Sequence, residues 1–258
     1  MIRIANIESE PISQMRYLNA RSGGGSEVTR LDILSAHLRE RLHHELDAIV
    51  CCSDLQGVLR GDLLGVAVAE HLAELTEVGV LPPAARTGVV LAGDLYSVPD
   101  ARKRGGFGDV SDVWVAFAER FAWVAGVAGN HDDMTNVLRL GARIHVLDGD
   151  MVEVDGLRIG GVGGIIGNAK KPGRREEGEQ LDRILAVVEQ RCDIVVLHEG
   201  PHVDEDQRGN AAIRMAIDSG EVPFTVCGHC HWNVPLAETA RGQILNVDAR
   251  VVVLVGAR

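Results

Sequence analysis

Residues 123–133 read W-V-A-G-V-A-G-N-H-D-D. A short run of apolar and small residues breaks abruptly into asparagine, histidine and two aspartates. A run of this length bounded by glycine reads as a buried strand that opens into a polar loop. The same shape occurs four more times. A-I-V-C-C-S (48–53) runs into D-L-Q-G, and T-G-V-V-L-A (87–92) into G-D-L-Y. D-I-V-V-L (193–197) runs into H-E-G-P, and P-F-T-V-C-G (223–228) into H-C-H-W. Helical patterns fall among them at 62–77, 111–121, 176–190 and 208–218, the first carried by Leu64, Val66, Val68, Leu72 and Leu75. Strands alternating with helices predict an α/β fold with buried strands and helices on both sides. In such folds the loops at the strand ends hold the ligand.

The rest of the chain is fitted around these strands. Residues 152–162 carry the Asp155-Gly156 turn of a hairpin, and 234–257 are strand-rich with a turn at Asp248-Ala249. Leu31, Ile33, Leu34, Leu38, Leu42 and Leu46 predict a helix over about 30–46. Residues 1–28, with R-S-G-G-G-S-E at 21–27, show no core-forming pattern and predict a partly flexible segment. The expected domain is therefore 29–258, with its motif-bearing core at 48–258.

Composition narrows the function. The 258 residues are 46% hydrophobic, enough for one large core or two small ones. Lys and Arg number 26 against 37 Asp and Glu, a formal charge of −11. That balance makes nucleic acid and anionic membrane poor default partners. No apolar run reaches the ~20 residues of a membrane span, and the N-terminus has no apolar region before a cleavage site. The five cysteines, 51, 52, 192, 227 and 230, are odd in number and too few for a disulfide scaffold. A cytoplasmic protein with reduced thiols is expected.

The strand ends place Asp54 and Gln56, then Asp94, then Asn130, His131 and Asp132, then His198, then His229 and His231. Any one of these suits a turn, a helix cap or a structural histidine. Their joint occurrence is what a turn-former reading leaves unexplained. Oxygen donors and imidazoles converging from five strands suit divalent ions of the manganese, iron or zinc type. The five motifs, in this order, resemble the calcineurin-like metallophosphoesterases, whose pattern is D-x-H, G-D, G-N-H-D/E, a lone H and G-H-x-H. The resemblance covers about residue 48 to the C-terminus. It implies a four-layer α/β/β/α sandwich of two facing mixed sheets flanked by helices. It also implies hydrolysis of a phosphate ester or diphosphate bond, with in-line attack by a metal-held hydroxide. By position, Asp54 and His231, with Gln56 beside them, would bind a first metal. Asp94 would bridge, and Asn130, His198 and His229 would bind a second. His131 would act on the phosphoryl group, and Asp132 would orient it.

Gln56 departs from the family's histidine. A neutral amide oxygen is a harder, weaker donor than imidazole, which points to manganese first, with magnesium, iron or zinc as alternatives. A D-x-Q branch of the superfamily includes a manganese-dependent hydrolase of diphosphate-linked nucleotides. Tyr96 stands one position away from the iron-binding tyrosine of purple acid phosphatases and reads more simply as a loop residue. The expected substrate is a phosphorylated small molecule or nucleotide. Basic loops at 99–109 and 168–177 leave nucleic acid as the alternative. Arg60, Arg102 and Arg104 are the first choices for substrate contacts, with Lys103, Lys170, Lys171, Arg174 and Arg175 behind them. Two further readings compete: a metal-free scaffold member, and a thiol oxidoreductase at Cys227-x-x-Cys230. The second lacks the long following helix that lowers a thiol pKa, because Pro235 and strand formers come next.

Overall fold

The computed structural model describes residues 2–43 and 45–257. Its first sheet is built from β1 (Ile4–Ile7), β2 (Ser13–Ala20), β3 (Ser26–Leu38), β4 (Ala48–Ser53), β5 (Thr87–Leu91), β6 (Trp123–Gly126) and β7 (Ile144–Val146). The second contains β8 (Asp150–Val154), β9 (Leu157–Val162), β10 (Ile194–Glu199), β11 (Phe224–Gly228), β12 (Leu236–Glu238) and β13 (Gln243–Asn246). The chain then returns to the first sheet as β14 (Arg250–Val255). The first sheet runs β7-β6-β5-β4-β14-β3-β2, ends in the two-residue strands Val58–Leu59 and Asp62–Leu63, and carries β1 beside β3. The second runs β8-β9-β10-β11-β13-β12. The run β4, β5, β6, β7 is parallel, as is β9, β10, β11, β13, whereas β14 is antiparallel to β4 and parallel to β3.

Side-chain alternation divides the molecule into layers. On β4, Ala48, Val50 and Cys52 pack toward α1 (Leu64–Glu77) and α2 (Ser111–Arg120), against Leu64, Val68, Val113, Trp114 and Phe117. Ile49 and Cys51 point the other way, into a core shared with Ile194, Val196, Phe224 and Val226 of the second sheet. On that sheet Val195 and Leu197 turn outward to α3 (Glu177–Glu189) and α4 (Ala211–Asp218). The result is the four-layer α/β/β/α sandwich.

The N-terminal region departs from the sequence expectation. Residues 26–38 form a strand where a helix over 30–46 was predicted; residue 44 lies outside the described residues. Leu31 and Ile33 join the helix-side core, whereas Ala36 and Leu38 join the core between the sheets. Leu34 packs on the same inter-sheet side as Ala36 and Leu38, so the alternation along the strand is unbroken. A strand that buries apolar residues on both faces spaces its leucines like a helix. The segment 1–28, predicted to be partly flexible, instead supplies β1, β2 and the start of β3, so a boundary at residue 29 falls inside a strand. The glycine stretch is the β2–β3 turn, with Gly23, Gly24 and Gly25 all at positive φ.

Candidate metal centre

The loops after β4, β5, β6 and β11 converge on one cavity of about 380 Å³, and His198 of β10 is buried behind it against Asp94. Asp54, Asp94 and His229 leave their strands with φ of 54°, 54° and 67°. L-residues rarely visit this left-handed region, and each such position costs roughly 1–3 kcal/mol unless its surroundings hold it. Here they do: Asp54 N donates to Gly93 O (2.9 Å), and His229 N donates to Asp54 Oδ2 (2.9 Å). The motif glycines permit the close approach. A Cβ at Gly129 would overlap the Asp94 carboxylate, and one at Gly228 would overlap Ser53 and Asp54.

Asp94, His198 and His229 bring ligand atoms within 4.8 Å of one another, a group able to hold a metal ion. His198 is fully buried, and its Nδ1 donates to Ala92 O (2.8 Å), which turns Nε2 toward Asp94 Oδ1 at 3.4 Å. That is the usual way a protein fixes the tautomer of a ligating imidazole. His198 Nε2 and Asn130 Oδ1 are both buried and have no hydrogen-bond partner among the described residues. Burial alone would push the His198 imidazole down, but the charge of the adjacent Asp94 carboxylate pushes it up to about 10. Burial and the neighbouring His198 charge push His229 down to about 4, leaving a neutral ring with its lone pair. The donor set of carboxylate, amide oxygen and two imidazoles, with two donors orphaned, fits a divalent cation.

Asp54, Gln56 and His231 are gathered less tightly. Asp54 Oδ2 accepts from Ser53 Oγ (2.6 Å) as well as from His229 N. Burial and the nearby Asp248 charge push the Asp54 carboxyl well above the usual carboxylate range. Gln56 turns its amide nitrogen to Asp94 Oδ2 at 3.2 Å. The His231 ring is half exposed and lies between Asp248 Oδ1 (3.2 Å from Nδ1) and Arg250 Nη2 (3.1 Å from Nε2). It lines a neighbouring groove with Arg30, Asp32 and Arg250, not the metal cavity.

His131 sits at the cavity wall. Its backbone N–H donates to Asp94 Oδ1 (3.0 Å), and its Nδ1 meets Gly106 O at 2.5 Å. Asp132 does not orient this ring, contrary to the sequence expectation. Its carboxylate accepts from the backbone N–H groups of Leu95, Tyr96 and Gly129, tying the β5 and β6 loops together.

Of the expected substrate contacts, Arg104 and Lys103 line the cavity, whereas Arg60 and Arg102 do not. Arg60 is exposed at the left-handed tip of the two-residue hairpin, because Arg60-Gly61 form its turn. Arg175 is committed to Asp148 and Gln180. Tyr96 packs against Gly106 and Gly108 as a loop residue. Cys227 is buried, and burial pushes its thiol up, the reverse of an activated nucleophile. Among the polar cavity residues, Tyr17, Asn19 and Asp248 had no functional reading from the sequence. Asp248 follows a strand like the other acidic residues, a signal that was available. Tyr17 and Asn19 come from β2, where no pattern had been seen.

Among the described residues no helix is long and apolar enough to cross a membrane. No curated protein matches the chain. Among solved structures it resembles the protein TT1561 of Thermus thermophilus, with 16% identity, 78% of this chain and 88% of that one covered, and a TM-score of 0.56. That likeness is one of fold. The protein of unknown function AQ665 from Aquifex aeolicus aligns over 80% of this chain and 95% of its own, at 14% identity and a TM-score of 0.36. The model of the calcineurin-like phosphoesterases matches residues 48–233, which carry all five motifs. The chain therefore belongs to the calcineurin-like phosphoesterase family.

Proposed function

We propose that the protein hydrolyses a phosphate ester or diphosphate bond by in-line displacement, using two divalent ions, manganese first among them. The orphaned pair Asn130 Oδ1 and His198 Nε2 carries this reading. An unsatisfied buried polar atom costs about 1–3 kcal/mol. Two of them beside a buried carboxylate are relieved together by one cation. Asp94, Asn130, His198 and His229 would hold one ion. Asp54, Gln56 and His231, with Asp94 shared, would hold the other.

Ions so bound lower the pKa of water and neutralise charge on phosphoryl oxygens. The chain's own residues position and protonate. The Gly106 carbonyl fixes a proton on His131 Nδ1, so Nε2, 3.9 Å from Asp94 Oδ2, is the atom left for the substrate. In its protonated form it donates to a phosphoryl oxygen or passes a proton to the leaving oxygen. Lys103 and Arg104 add positive charge at the rim. A cavity of about 380 Å³ suits a phosphorylated small molecule or nucleotide better than a duplex. Five free cysteines suit the cytoplasm.

The test is a panel of phosphomonoesters, phosphodiesters and nucleoside diphosphates, run with manganese, magnesium and zinc in parallel. At least one class should turn over and stop on chelation. Metal-loaded protein inert toward every class would sink the reading.

A further inference from the structure

The family match begins at residue 48, yet part of the cavity wall comes from before it. On β2, Met15, Tyr17 and Asn19 alternate with the exposed Gln14, Arg16 and Leu18, so one face of this strand looks inward. The Tyr17 ring lies on Gly57, immediately after Gln56; any side chain there would overlap it. Its phenol lines the cavity near Asp248, and burial with that charge pushes it up to about 12, so it is a neutral donor across the working range. The Tyr17 hydroxyl has no hydrogen-bond partner among the described residues. Asn19 uses its Oδ1 to accept from Ala20 N (2.8 Å), which leaves both amide hydrogens free.

The hairpin is also fastened to the basic loop. Gly25 N donates to Arg102 O (3.0 Å), and Arg104 Nε donates to Ala20 O (3.1 Å). Arg104 is thus held by its Nε with the end of the guanidinium still available, and Lys103 stands beside it on the same wall. Two neutral donors from the hairpin and two cations from the loop it is fastened to therefore line the cavity with Asp54, Asp94 and His229. Donors on an opposing wall ask for a second group of acceptors on the same small molecule.

We propose that the β2–β3 hairpin is a recognition wall of this site, where Tyr17 and Asn19, with Lys103 and Arg104, bind the second phosphoryl group of a small organic diphosphate. The proposal rests on the phosphoesterase reading, and it selects a substrate class within it. Tyr17 and Asn19 are specificity-determining residues here and take no part in bond cleavage.

Binding separates the two claims, because it needs no turnover. Methylenediphosphonate, which cannot be hydrolysed, and orthophosphate are titrated calorimetrically into the manganese-loaded protein. The diphosphonate should bind at least ~10-fold more tightly, the usual worth of a hydrogen bond to a charged group. Tyr17→Phe keeps the ring on Gly57 and removes only the hydroxyl. Asn19→Asp keeps the acceptor for Ala20 N and replaces the amide donors with charge. Each should weaken the diphosphonate ~10-fold and orthophosphate less than twofold, with metal content and Tm retained. Equal affinity of the parent for both ligands, or equal losses on both ligands in the variants, would overturn the proposal. Retained discrimination in a protein that hydrolyses nothing would support the wall and remove the hydrolase reading instead.

Discussion

The two sides of the metal cavity are prepared to different degrees. On the imidazole side the donor atoms already converge, the His198 tautomer is fixed by Ala92, and two donors wait without partners. On the carboxylate side every donor has another engagement. Gln56 gives its amide nitrogen to Asp94, Asp54 takes two hydrogen bonds, and His231 is shared by Asp248 and Arg250. One side needs only to exchange the His198 proton for a cation. To hold the second ion proposed above, the other must also turn over the Gln56 amide and release a ring from a guanidinium. Motifs that read as one unit in sequence thus bring together two sets of side chains that are unequally preorganised.

The sharpest way to break this contrast is at the residue both sides share. Asp94→Asn should lower kcat to below about 10⁻⁴ of the parent, about 5.5 kcal/mol, and reduce bound metal. Near-normal turnover with full metal content would remove the common bridge on which the comparison depends. His131 belongs to neither side. His131→Ala should lose ~10²–10⁴-fold in kcat while keeping its metals, as expected of a proton donor. A matching loss of metal would make it a ligand and redraw the division.

The sides can then be set against each other directly. Removing an outer partner of a metal ligand costs about 10–100-fold in affinity, so His198→Ala should weaken manganese binding by more than ~100-fold. His231→Ala should stay within ~10-fold. Equal losses in equilibrium dialysis would show that the two sides are alike. The pH dependence of binding isolates the imidazole side. With its pKa raised to about 10, His198 holds a proton at neutral pH until a metal displaces it. Apparent affinity for manganese should therefore rise as pH rises, by ~10-fold per unit across pH 7–9, in competition with a chelator. A flat profile would mean the ring is already neutral. The smallest effect is expected at Gln56. Gln56→His should strengthen zinc binding several-fold and move the preference away from manganese, because imidazole suits zinc better than an amide oxygen. Unchanged preference would take Gln56 out of the metal sphere.

What the sequence made legible follows the same contrast. Strands such as 48–53 and 224–228 are buried on both faces, so they appear as unbroken apolar runs, and the polar residues after them mark the cavity floor. The Asp155-Gly156 turn was legible because only a few dipeptides favour that geometry, and Val154 pairs with Leu157 across it. β3 was not, because it buries Leu31 and Ile33 on one face and Leu34, Ala36 and Leu38 on the other, and its leucines taken together fall at a helix's spacing. With β3 misread, β2 had no neighbour, and Tyr17 and Asn19 had no place. The commitments of Asp132 to backbone N–H groups and of His231 to Arg250 are made in space between distant segments, and spacing alone carries no trace of them.

The position of β14 sets an order on how this molecule can be made. Residues 250–255 lie between β3 and β4, pairing Val251 with Ile33 on one side and with Cys52 on the other. While the ribosome works through the roughly two hundred intervening residues, at about 5–20 per second, the facing edges of β3 and β4 stay unpaired for roughly 10–40 s. Both are apolar and ready to pair with another chain. The nascent protein therefore carries a risk of aggregation during synthesis, and the first sheet is continuous only when the closing strand slides between β3 and β4.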